Sequence, residues 1–259
     1  MIKYYTRVCN FSYGQLSVKL VNQKKNLPLK GNREISFDQI EIITRKSKKI
    51  INLKDIKDLP FSLKNKINHE LKIITKKNKN FSNLKFGKIP NIMGVLNLTP
   101  DSFSDGGKFN KKNKGSNHAI DLFKFGADII DLGGESTKPG SKAISIKKEW
   151  NRIKKTIKKI DKKIPLSLDT RKSEIMEKGI KNGILLINDI SGLNYDSKTI
   201  NILKKYNIPF VIHHSQGIPE NMQIRPNYRN ELLDIYDFFE EKIKLLRSWG
   251  IKHNKIIID

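Results

Sequence analysis

Residues Asn91–Gly107 read NIMGVLNLTPDSFSDGG. The stretch begins as an apolar run, Ile92–Leu96, and then turns into a polar loop with Pro100, Asp101, Asp105, three hydroxyl side chains and Gly106-Gly107. A short apolar run closed by Pro and a Gly pair reads as a buried strand that delivers a loop. Asn97 stands where strand becomes loop. Five more such runs come later in the chain, at Asp128–Leu132, Pro165–Asp169, Ile184–Ile187, Phe210–His213 and Lys255–Asp259. Their recurrence decides the fold.

Amphipathic helical segments lie between these runs. In Lys147–Lys159, Trp150, Ile153 and Ile157 fall at helical spacing. In Glu231–Trp249, Leu232, Ile235, Phe239, Ile243 and Leu246 share a face. Strand–helix alternation of this kind implies a parallel sheet covered by helices. A doubly wound sheet and a (β/α)₈ barrel both satisfy it. The strand ends favour the barrel. Asn97, Asp131, Asp169, Asn188, His213, His214 and Asp259 sit at or just past strand C-termini, and only a barrel gathers all such ends at one mouth. The expectation is an α/β fold of (β/α)₈ TIM-barrel type over residues 89–259. It is incomplete, with about six βα units, because Asp259 ends the sixth strand.

Residues 1–88 break the pattern. Strand-like pieces at Gln39–Ile43 and Ile50–Leu53 and a helix near Leu63–Thr75 suggest a small N-terminal α+β extension. Asn78–Lys88 would lead into the barrel and cap its bottom.

The chain has 259 residues and is 37% hydrophobic, enough for one large core or a core plus a small domain. No run approaches the roughly 18 apolar residues of a membrane span. The start, MIKYYTRVCN, lacks the apolar stretch of a secretory signal. The single cysteine, Cys9, excludes an intramolecular disulfide. A soluble, cytoplasmic protein with no membrane partner is expected. The formal charge is +25, from 51 Lys+Arg against 26 Asp+Glu. The lysines are spread through helices and loops, with no stripe and no interleaved aromatics. That reads as a solvated lysine-rich surface and not as a nucleic-acid interface.

Four motifs bear on the chemistry. In DLGGESTKPG, Asp131–Gly140, Gly133 and Gly134 permit close backbone approach, and Ser136, Thr137 and Lys138 supply hydroxyls and a cation. An oxyanion cradle and a purely steric turn both account for it. In SLDT (Ser167–Thr170) and INDIS (Ile187–Ser191), Asp169 and Asn188, with Asp259, suit the edge of a nitrogen heterocycle. The competing reading has Asp169 and Asn188 capping helices or satisfying loop backbone. In HHSQG (His213–Gly217), adjacent histidines on a strand point to opposite faces and cannot easily share one ion, so no zinc site is expected.

Taken in order, IMGVLNLTPDSFSDGG, DLGGESTKPG, LSLDT, LINDIS, HSQG and the final IIID resemble the dihydropteroate synthase family, from about Lys88 to Asp259. The TPDSFSDGG loop is the most specific of these. The resemblance implies a (β/α)₈ barrel that joins 6-hydroxymethyl-7,8-dihydropterin diphosphate to p-aminobenzoate and releases pyrophosphate. It implies Asn97 as a ligand of Mg²⁺ and the diphosphate. It places Asp169, Asn188 and Asp259 on the pterin ring, and Phe103 and Pro139 in the p-aminobenzoate pocket. Asp105 would steady the cationic pterin, and Thr137 would lie near the substrate junction.

Two departures stand out. Lys138 occupies a position where the family usually has arginine, keeping the charge but losing the bidentate fork. The family's seventh-strand Ser-x-Lys and eighth-strand Arg-x-His regions have no counterpart in these residues. The family's dimer surface is built largely from its last helices, so a homodimer through that surface is not expected here. Two other readings share parts of the pattern. A methyltetrahydrofolate-type methyltransferase would use Asp169, Asn188 and Asp259 without the TPDSFSDGG loop. A pterin-binding remnant would bind without turnover.

Overall fold

The computed structural model describes residues 2–77, 91–99, 113–136, 141–216 and 226–259. The chain divides into two compact units, Met1–Lys79 and Asn80–Asp259. The expected lead-in at 78–88 lies outside the described residues.

The first unit is a small antiparallel sheet with two helices. Its elements are β1 (Tyr5–Tyr13), α1 (Gly14–Asn22), β2 (Leu27–Leu29), β3 (Asn32–Ile43), β4 (Lys48–Asn52) and α2 (Phe61–Thr75). The long β3 is the centre, and β1, β2 and β4 all pair with it antiparallel. Phe37, Ile40 and Ile67 are fully buried, with Ile42, Ile51, Ile56 and Leu71 around them. Part of the polar interior is satisfied locally. The Ser17 hydroxyl bonds Ser36 Oγ at 2.7 Å, and Asn26 Nδ2 donates to the same oxygen at 3.1 Å. The sequence reading is corrected here in extent. The strand piece at Gln39–Ile43 is the end of a 12-residue strand, and β1 and α1 were not anticipated. Strand β1, YTRVCNFSY, pairs among the described residues with β3 alone and is half-buried or exposed at all but Tyr5, so it carries little of the apolar alternation that reveals a strand.

The second unit repeats strand and helix. In chain order it runs β5 (Met93–Asn97), α3 (Lys114–Lys124), β6 (Ile129–Gly133), α4 (Ile146–Lys159), β7 (Leu166–Asp169), α5 (Ser173–Lys181), β8 (Leu186–Asp189), α6 (Thr199–Tyr206), β9 (Phe210–Ile212), α7 (Glu231–Ser248) and β10 (Ile256–Ile258). All six strands join one sheet in the order β5-β6-β7-β8-β9-β10, and every neighbouring pair is parallel. A doubly wound sheet would reverse its order at a switch point. This one never reverses, so these are consecutive staves of a (β/α)₈-type barrel. Among the described residues β5 pairs only with β6 and β10 only with β9, so the sheet is not closed.

Strand alternation sorts the side chains into two layers. Ile130, Leu132, Leu168, Ile187, Phe210 and Ile212 face outward into the main core with the helices. Ile129, Leu186, Val211 and Ile257 form a separate cluster on the inner face. The helices start where their caps allow. The Ser145 hydroxyl accepts from Lys148 N at 3.3 Å to open α4, and Asn230 Oδ1 accepts from Leu233 N at 3.1 Å to open α7. No helix among the described residues is long and apolar enough to cross a membrane.

Candidate active site

The parallel register lines the strand ends up. Asn97 pairs with Gly133, Gly133 with Asp169, Asp169 with Asn188, and Asn188 with Val211. Val211 belongs to the inner-face cluster, so the period-2 alternation along each strand carries Asn188, Asp169, Gly133 and Asn97 to that face too. One step deeper come Asp131 and Ser167, themselves register partners. Asp259 continues the ladder, its N–H donating to Ile212 O at 3.0 Å and its carbonyl accepting from His214 N at 3.1 Å. Asn97, Asp169, Asn188 and Asp259 therefore end four strands of one sheet at one mouth.

Gly133 is what lets Asn97 and Asp169 approach each other. A β-carbon there would lie 2.8 Å from Asn97 Oδ1 and 3.6 Å from Asp169 Oδ2. The missing side chain leaves space on the inner face that two oxygens border. Gly134, next along, faces the helices, and a β-carbon would strike Ile153 at 2.9 Å and the Glu149 carbonyl at 3.1 Å.

The inner face carries buried acidic groups. Asp131 is buried, and its Oδ2 accepts from Asn188 Nδ2 at 2.9 Å. Burial raises its carboxyl above the ordinary range, opposed first by the Ser167 hydroxyl and then by the bond from Asn188. Asp169 is partly open on its mouth side, yet protein surrounds the carboxyl closely. Burial first, and then the negative charges of Asp131, Asp189, Glu149 and Glu135, push it well above the usual carboxylate range. His213 Nδ1 is buried with no hydrogen-bond partner among the described residues. Buried polar atoms are rarely left this way, so the mouth has unspent capacity for a ligand or water.

Asp169 and Asn188 do not cap helices. No side chain caps α5, and the Ser173 N–H at its start donates to Asp196 at 2.9 Å. The amide of Asn188 goes to Asp131. The histidine pair divides as its strand position requires. His214 lies against α7, its ring centroid 4.5 Å from Phe238, with Nε2 3.1 Å from the Tyr228 hydroxyl.

Behind the mouth lies a buried ion cluster that the sequence reading missed. Lys172 Nζ sits 2.7 Å from Glu135 and 2.6 Å from Glu149, and Arg171 Nε is 2.9 Å from Glu135. Thr170 donates to Glu149 at 2.5 Å, and Ile144 N to Glu135 at 2.9 Å. Burial alone would raise the Glu135 carboxyl. Bonds from Lys172, Ile144 and Arg171 outweigh it and hold the group below its ordinary value. The signal was present in the sequence: Glu149 lies four residues before Ile153, on the buried face of its helix.

Phe103, Asp105, Thr137, Lys138 and Pro139 lie outside the described residues, as does most of the loop 99–107. No cluster of three or more metal-ligating His, Cys, Asp or Glu side chains occurs among the described residues.

Residues 93–259 match the family model described as pterin binding enzyme. The chain belongs to the pterin-binding enzyme family. Among its relatives, the dihydropteroate synthase of Clostridium beijerinckii is 42% identical over 170 residues, 65% of this chain and 61% of that protein. A crystal structure of the Yersinia pestis dihydropteroate synthase in complex with a sulfonamide drug superposes with a TM-score of 0.63 at 37% identity, covering 66% of this chain and 62% of that one. The Clostridium difficile enzyme, solved in the presence of pteroic acid, gives 0.58 at 40% identity, covering 68% and 65%. The chain thus spans about 61% of the length of that Clostridium beijerinckii relative, and the residues matched by the family model contain the six-stranded sheet with its mouth.

Proposed function

We propose that this pterin-binding chain serves dihydropteroate synthesis, the joining of 6-hydroxymethyl-7,8-dihydropterin diphosphate to p-aminobenzoate. The observation that carries the reading is the row of Asn97, Asp169 and Asn188 at the ends of β5, β7 and β8, in register through Gly133 of β6 and facing one mouth. Asp169 and Asn188, with Asp259, would receive the N–H and C=O edge of the pterin.

In the reaction the bond between the pterin methylene carbon and the diphosphate oxygen breaks, and its electron pair leaves with the diphosphate. The p-aminobenzoate nitrogen forms the new bond to that carbon and loses a proton. The site must hold the leaving anion and keep water from the developing cation. The two oxygens bordering the Gly133 gap, from Asn97 and Asp169, are hard donors. Asn97 therefore fits a role in holding Mg²⁺, an ion that keeps waters and is completed by substrate phosphates. When bound, such an ion neutralises charge on the leaving diphosphate. Lys138 would add a cation, Asp105 and Thr137 would act at the substrate junction, and Phe103 and Pro139 would contact p-aminobenzoate.

Pyrophosphate release tests the reading directly. The 259-residue chain is compared with a version extended by two βα units from the Clostridium beijerinckii relative. Release by the extended chain that needs both substrates is the expected result. Pterin binding without release by either chain would replace synthesis with a binding role, and no pterin binding would overturn the reading.

A further inference from the structure

Asn188 presents a carboxamide whose two ends are opposite in character, and a ring edge needs one of them in a defined place. Something must decide which end faces the ligand. The atom opposite Asn188 Nδ2 is Asp131 Oδ2, 2.9 Å away. A carboxylate only accepts, so it selects the NH₂ end of the amide and leaves the carbonyl oxygen for the mouth. Asp131 lies two strands from Asn188, with Ser167 its register partner on β7 between them. The bond therefore spans β7 beneath Asp169 and ties the residues flanking it.

We propose that Asp131 is a positioning residue of the pterin site, which fixes the orientation of the Asn188 carboxamide and thereby sets the pattern of donors and acceptors offered to the ring edge. The proposal rests on the pterin-binding reading of this mouth. Asp131 is absent from the residues that the resemblance assigns to substrates, and its geometry explains why it would act without touching one. It is 4% exposed and lies one alternation step below the row. The Ser167 hydroxyl on β7 faces the same carboxyl, so Asp131 is held between Ser167 and Asn188 and not by the ligand.

A double-mutant cycle on the whole chain tests this, read by fluorescence titration with 6-carboxypterin. Asp131→Ala is expected to weaken binding about tenfold, the scale of one lost charge-assisted bond. Asp131→Asn retains an acceptor and is expected to stay within about threefold. In an Asn188→Ala background, Asp131→Ala is expected to add less than about twofold, because its route to the ligand is gone. Equal losses with and without Asn188 would show that Asp131 acts independently, and the proposal fails. So does an unchanged affinity in Asp131→Ala when Asn188→Ala weakens binding; the pterin reading then survives alone. If Asn188→Ala has no effect, the pterin reading fails and takes the proposal with it. Should Asp131→Ala not fold, Asp131→Val, a strand former lacking any acceptor, carries the same cycle.

Discussion

Asp131 and Asp169 are two carboxyls on one inner face, and each is lifted by burial while Asp169 is lifted further by its acidic neighbours. The consequence for stability has a definite sign. A carboxyl whose folded pKa is raised binds more protons folded than unfolded in the interval above its ordinary value. Its contribution is complete below about pH 4 and is lost as pH rises through the raised folded value. Groups held below their ordinary value, such as Glu135 and Asp196, behave oppositely and lose their contribution as pH falls. Asp131→Asn removes one member of the repelling pair. Its thermal midpoint should therefore gain on wild type as pH rises from about 5 to about 8, with the difference smallest at the acid end. Melting curves at several pH values check this. A difference that shrinks with rising pH would mean that Asp131 and Asp169 do not repel each other in the folded chain. A residue that costs stability at neutral pH and is kept at a mouth fits a role in binding.

At the scale of elements, the ion cluster holds β6, α4 and β7 together just behind the mouth. Lys172 stands between Glu135 and Glu149, and all three are buried. Such a cluster contributes little net stability compared with apolar packing, yet breaking it leaves charges buried and unpaired. Lys172→Met should destabilise the unit by about 3–5 kcal/mol. The double variant Lys172→Met with Glu149→Leu should recover part of that loss, because the orphaned charge leaves as well. Denaturant unfolding distinguishes the cases, and a single variant within about 0.5 kcal/mol of wild type would show that the cluster carries no strain-bearing charge. This cluster also shows where reading the sequence stops. The six strands were legible because apolar runs ending in a polar residue recur with helices between them. The boundary of β8 was not, since Ile184 belongs to the turn that closes α5, its N–H donating to Gly179 O at 3.2 Å. Glu149 sits on the buried face of its helix, but its pairing with Lys172 was not legible, for the two lie 23 residues apart in the chain. Asn97, Asp169, Asn188 and Asp259 could be read as a group because each simply ends a strand. Asp131 was read as one more polar strand end; that it works through Asn188 depends on register across β7, which no single segment reveals.

At the scale of the molecule, the second unit has an inner face with two unpaired borders among its described residues. Met93 and Val95 face inward on β5, in register with Ile129 and Asp131, and are 37% and 57% exposed. In a closed barrel such positions are filled by neighbouring strands and by layers of inward side chains. Unpaired strand edges also offer backbone donors and acceptors to any other chain. A polypeptide of these 259 residues is thus expected to self-associate and to bind a dye specific for exposed apolar surface. Extension by two βα units from the Clostridium beijerinckii relative should suppress both effects, since the added strands would pair with β5 and β10 and cover Met93 and Val95. Size-exclusion chromatography with light scattering reads the first effect, and dye fluorescence the second. A monodisperse monomer of the 259-residue chain that also releases pyrophosphate at the rate of the extended chain would defeat the argument. It would mean that six staves suffice both to bury the inner face and to hold the diphosphate.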